Sequence, residues 1–195
     1  MKPDLRNSGE KIMKTFEAIV REHSSRNIRF HKRFESDMFS DSLRLYSEKR
    51  FASCASLCSV LYERIFATRY INQIANPAGF VPTKDNINEQ FANLLKAEEK
   101  VENDDRMPFR KITQGLVDEG VIRDNEKSDY DNFYTNVRNP VMHGLITRLF
   151  KDYEGRNPNS TFEVDASYEQ IFEKVSLELI NKIYEVMAIN ELRKK

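Results

Sequence analysis

The chain of 195 residues carries 31 Lys+Arg against 31 Asp+Glu, so no global basic field draws it to nucleic acid and any polyanion site must be local. A charged fraction of 32% beside 39% hydrophobic residues describes a globular chain with one packed core and excludes a disordered or membrane-embedded class. No apolar run approaches the roughly 18 residues that span a bilayer, and the polar start "MKPDLRNSGEK" lacks the apolar region of a signal peptide, so a cytoplasmic location is expected.

Six Gly and six Pro are few for this length, which favours long helices over turn-rich β structure. Ile12, Phe16 and Ile19/Val20 recur at helical spacing and predict a first helix over residues 9 to 23. "SSRNIRFHKRFES" then loses apolar period and gains charge, as a connector does, and the next helix is expected after Asp41 or Ser42. From about residue 49, Phe51, Cys54, Cys58, Leu61 and Ile65 step by three and four, a core stripe over four turns. Val60, Tyr62 and Phe66 lie off that stripe, so this helix is expected to be contacted from several sides, as a central element. Cys54 and Cys58 fall one turn apart on the stripe, a poor disulfide geometry and too few ligands for zinc, and are expected to be reduced core thiols.

"NPAGFVPTKDN" is a loop, "INEQFANLLKAEEKVE" resumes helical period, and "FRKITQGLVDEGVI" is a shorter helix with Gly120 as its C-terminal stop. "SDYDNFYTNVRN" sets Tyr130, Phe133, Tyr134 and Val137 on one face, and "PVMHGLITRLFKDY" does the same with Met142, Leu145, Ile146 and Leu149. "EGRNPNSTFEV" is expected to be a loop with room for a short strand. The remainder closes as a long helix with Ile171, Val175, Leu179, Ile183 and Val186 inward. The expected fold class is all-α, a helical bundle with a long C-terminal helix. Residues 1–36 supply an N-terminal helix and basic connector, and 37–195 the helical domain, within one compact unit.

The stretch "RNPVMHG", residues 138–144, joins two of these helices. A residue before proline avoids the α region, Asn is a favoured N-cap and Pro a favoured first helical residue, so a break at Asn139 and a new start at Pro140 are expected. That puts Arg138 at a bend and His143 in a first turn, where the helix dipole disfavours an imidazolium and leaves a neutral base. Gly144 would leave the histidine open to a ligand. Arginine offers a permanent charge and a planar donor fork for phosphate oxygens. Together they suit phosphodiester chemistry, with Arg138 stabilising charge on phosphorus and His143 moving a proton. The plainer assignment is a packed histidine and an arginine capping a helix end.

"VRNPVMHG" resembles the Arg-x4–6-His motif of HEPN domains, in the subform with a polar residue directly after arginine. The aromatic helix "DNFYTNV" running into the motif and the helix "FASCASLCSVLYERIFATRYI" upstream agree with that family, over residues 40 to 190. The resemblance implies a metal-independent endoribonuclease in which the arginine and histidine of two protomers meet at a dimer interface. There the RNA 2′-hydroxyl attacks the adjacent phosphate and leaves a 2′,3′-cyclic phosphate. Carried over, Arg138 binds the phosphate and stabilises the transition state, His143 is the acid–base group, and Asn139 positions the turn. A toxin or antiviral-defence role, with an antitoxin or defence-system partner, follows by family analogy alone. Other family members bind RNA or a nucleotide without cutting. A helical dimerisation or interaction protein is a third possibility, open to any chain with so long a closing helix.

A second stretch, "RNIRFH", repeats the Arg-to-His spacing without Pro or Gly. Arg26, Arg29, His31, Lys32 and Arg33 form a local basic surface there, either a solvated charge run or an RNA-backbone contact. Glu63 lies off the core stripe, either paired with Arg138 to orient it or simply exposed. No Walker, dinucleotide-binding or zinc motif occurs, so neither cofactor nor metal is expected.

Overall fold

The computed structural model describes residues 14–24, 32–76, 83, 85–103, 108–145, 147–149 and 168–192. Among these residues every regular element is helical, and the molecule is an all-α bundle. In chain order the helices are α1 (Phe16–Ser24), α2 (Arg33–Ser47), α3 (Phe51–Ala75), α4 (Ile87–Asn103), α5 (Phe109–Asp118) and α6 (Asp124–Phe133). A π-helical turn (Tyr134–Arg138), the short α7 (Asn139–Met142) and the long α8 (Tyr168–Leu192) complete it. No described helix is long and apolar enough to cross a membrane.

The stripe expected on α3 is real: Cys54, Cys58, Leu61 and Ile65 are buried, and so are Tyr62 and Phe66 off the stripe. α3 is apolar on nearly all sides because α2, α4, α5, α7 and α8 all pack against it. Both cysteines are free and buried, and Cys54 Sγ donates to the Ser42 carbonyl at 3.2 Å. α8 turns Ile171, Val175, Leu179, Ile183 and Val186 inward, as its period predicts. It is tied to α3 by Ser176 Oγ donating to the Phe51 carbonyl and by buried Arg69 donating to the Val186 carbonyl, both at 2.8 Å. α4 follows its expected period but buries a different face: Ala97 enters the core while Ile87 and Phe91 stay exposed.

α2 begins at Arg33, well before the start expected after Asp41, and the division expected between residues 36 and 37 falls inside it. The early turns were hidden because their core stripe is partly polar. Phe39 and Leu43 are buried together with Glu35 and Ser42, so the apolar period is interrupted at two inward positions. The Glu35 carboxylate accepts from the Lys32 backbone N–H at 3.3 Å, which satisfies a donor at the helix start. The expected strand-bearing loop "EGRNPNSTFEV" lies outside the described residues, as do Ile12 and Ile146.

Gly120 ends α5 as expected. Its φ is +69°, its N–H reaches the Val117 carbonyl at 2.8 Å and that of Val121 reaches Leu116 at 2.8 Å, a Schellman pair that stops the helix. α6 is then fixed on two sides. Asp131 accepts from Thr113 of α5 at 2.8 Å and from Lys127 at 2.7 Å, and buried Lys182 of α8 pairs with Asp129 beneath the Tyr130 and Phe133 rings. This clamp sets the direction in which the chain enters the Arg138 turn.

Candidate functional site

The chain does not break at Asn139–Pro140. Tyr134, Arg138 and Asn139 all hold right-handed helical dihedrals, Asn139 at φ −64° and ψ −46°. The expected N-cap at Asn139 is therefore corrected, and the cause is the π turn. Proline has no N–H and its ring meets the carbonyl four residues back. One extra residue in the preceding turn relieves that conflict without ending the helix. The Asn139 N–H accordingly bonds the Tyr134 carbonyl, five residues earlier.

His143 is corrected too. It is the C-terminal cap of α7, with its N–H on the Asn139 carbonyl at 3.0 Å, rather than a residue of a first turn. The nearest helix end thus carries the partial negative charge, the opposite sign to the one expected. Gly144 follows at φ +65°, with its N–H to Val141 at 3.4 Å and that of Leu145 to Pro140 at 2.8 Å. Its function in the fold is the left-handed stop of a Schellman motif. His143 is exposed and has no side-chain hydrogen bond among the described residues. Met142 and Leu145 beside it are exposed as well.

Arg138 has the opposite environment. Its side chain is 13% exposed and pairs through Nη2 with Glu63 of α3. Nη1 donates to the Tyr134 hydroxyl at 3.2 Å and to Asn139 Oδ1 at 3.0 Å, and Cζ stands 4.8 Å from the centre of the Tyr134 ring. Nε is buried without an acceptor. The Tyr134 hydroxyl in turn donates to Glu63 Oε1 at 3.4 Å, and its ring lies parallel to Phe109 at 4.1 Å. Burial, then the Glu63 carboxylate, push the Tyr134 phenol up, while Arg138 opposes them. The phenol is therefore protonated at neutral pH and free to donate to the carboxylate.

The tertiary structure thus brings Arg138, Asn139 and Glu63 together, with His143 at the far end of the same short helix. Tyr134 and Phe109 join them, though the sequence pattern placed Tyr134 simply among core aromatics. The signal that could have separated it is its spacing of four residues from Arg138, which on a helix sets the two side by side. Of the basic stretch, Arg26, Arg29 and His31 lie outside the described residues, Lys32 is half-buried and Arg33 exposed. Phe34, next to Arg33, stacks under Arg64 of α3 at 5.0 Å, and Arg64 adjoins Glu63 in the chain. Among the described residues no group of His, Cys, Asp and Glu is arranged to hold a metal ion. No family model, no curated protein and no solved structure matches the chain.

Proposed function

We propose that this protein is an endoribonuclease of HEPN type, cutting RNA by transesterification at a site built from Arg138 and His143. The observation that carries the proposal is a guanidinium held by Glu63, Tyr134 and Asn139 at the N-terminal end of the short α7, whose C-terminal cap is the exposed His143. In-line attack of a 2′-hydroxyl on phosphorus forms the 2′,3′-cyclic phosphate and breaks the bond to the 5′ oxygen. The nucleophile comes from the RNA itself, so no metal-activated water is needed. A fixed cation beside the phosphate stabilises the added charge. One proton leaves the 2′-hydroxyl and one reaches the departing 5′ oxygen, which suits two acid–base groups. Each chain offers one His143, and the exposed Met142 and Leu145 flanking it favour a homodimer that supplies the second. Lys32 and Arg33, with the basic residues before them, would supply affinity for the RNA backbone. A toxin or antiviral-defence role, and an antitoxin or defence-system partner, rest on the resemblance to HEPN domains.

A second reading is a HEPN-like module that binds RNA or a nucleotide without cutting it. It is favoured by the three acceptors that already engage Arg138 and by the absence of any side-chain hydrogen bond that orients His143 among the described residues.

Labelled RNA incubated in EDTA with wild type, Arg138→Ala and His143→Ala distinguishes the two. Cleavage by wild type leaving cyclic phosphate ends, with each variant slower by roughly 100-fold or more, supports the nuclease. Equal cleavage by all three overturns it. RNA binding without cleavage under any condition selects the second reading.

A further inference from the structure

We infer that Tyr134 is a positioning residue for Arg138, setting the orientation in which the guanidinium meets a substrate phosphate. The inference rests on the phosphate-binding role proposed above for Arg138.

Tyr134 touches both members of the Arg138–Glu63 pair. Its hydroxyl accepts from Arg138 Nη1 at 3.2 Å and donates to Glu63 Oε1 at 3.4 Å, so one neutral phenol links cation and carboxylate. Its ring also lies under the guanidinium, with 4.8 Å from Cζ to the ring centre. The ring itself is held by Phe109, parallel within 4° at 4.1 Å. Phe109 is buried against Tyr62 and Phe66 of α3, so an unbroken run of aromatic contacts joins the core to Arg138. Tyr134 and Arg138 are also the first and last residues of one π turn, whose backbone fixes their spacing.

The donor count shows what this arrangement leaves over. Nη1 gives its two hydrogens to Tyr134 and Asn139, and Nη2 gives one to Glu63. Nη2 is left with a second hydrogen, and Nε is buried without an acceptor. With Nε buried, the remaining Nη2 hydrogen is the donor we assign to a phosphate oxygen, and rotation of the fork about Cζ–Nε would misdirect it. The Tyr134 hydroxyl opposes that rotation.

Tyr134→Phe keeps the ring stack and removes the hydroxyl. In wild type, restricted rotation should give separate Nη signals for Arg138 in nitrogen-15 side-chain NMR, and in Tyr134→Phe these should merge. With RNA as substrate, kcat should fall roughly tenfold while KM stays within about twofold, since only the aim of the cation has changed. The urea midpoint, measured alongside, should move little. Unmerged Nη signals in Tyr134→Phe overturn the inference, whatever happens to kcat. A wild-type protein that cuts no RNA removes the nuclease proposal instead, and the NMR result alone then decides whether Tyr134 orients Arg138.

Discussion

Arg138 of the π turn and Glu63 of α3 lie 75 residues apart in the chain and form an ion pair, the arginine 13% and the glutamate 37% exposed. A largely buried guanidinium needs its acceptors more than a half-exposed carboxylate needs its donor. Glu63→Ala should therefore destabilise the protein by about 1–2 kcal/mol, less than for a fully buried pair because solvent reaches the carboxylate. Glu63→Gln keeps an acceptor and should lose less. Urea titration of the two variants checks the order, and an unchanged midpoint in Glu63→Ala would show that the pair carries no weight.

Gly144 should resist substitution for a backbone reason alone. A Cβ there would meet nothing within 4 Å, yet φ is +65°, a conformation that L residues adopt at a cost. Gly144→Ala is expected to cost about 1–2 kcal/mol, and Gly144→Asn less, because asparagine tolerates the left-handed region. Thermal or urea unfolding of both variants measures the difference.

Gly115 should resist it for a steric reason. It lies within α5, where alanine is ordinarily the better residue by about 1 kcal/mol. Here a Cβ would come within 2.3 Å of the Tyr70 ring of α3. The helix-propensity gain should be outweighed, with Gly115→Ala less stable than wild type by about 1–2 kcal/mol. Adding Tyr70→Ala should remove the clash, so the double variant should fall short of the summed losses.

Acid should weaken the fold through His23. Its Nε2 lies 2.9 Å from Ser40 Oγ and its ring meets Phe39 edge-on at 5.2 Å, and burial lowers its pKa from 6.5. The unfolded chain thus takes up the proton first as pH falls. The stability contribution is complete above the unfolded value of 6.5 and is lost as pH drops through the lower folded value. Urea midpoints at about pH 7.5 and about pH 5 should differ less in His23→Gln than in wild type. An unchanged difference would assign the acid sensitivity to other groups.

The all-α class, the central α3, the inward stripe of α8, the stop at Gly120 and the choice of Arg138, Asn139 and His143 as candidate residues are all legible in the linear chain. These are legible because apolar period, helix stops and motif spacing are local properties of the chain. Its local rules misjudged α2 and the Asn139–Pro140 step. Buried Glu35 and Ser42 interrupted the apolar stripe of α2, and the π turn absorbed a proline that normally marks a helix boundary. What Arg138 meets depends on packing between distant helices. Glu63 reaches it from α3, which settles the choice between a paired and an exposed carboxylate, and Phe109 of α5 reaches Tyr134 beneath it; packing against a shared core brings both there, and no spacing along the chain encodes which ring will arrive. The same packing moved the significance of "RNPVMHG" from a bend between helices to a continuous turn that buries its arginine and exposes its histidine.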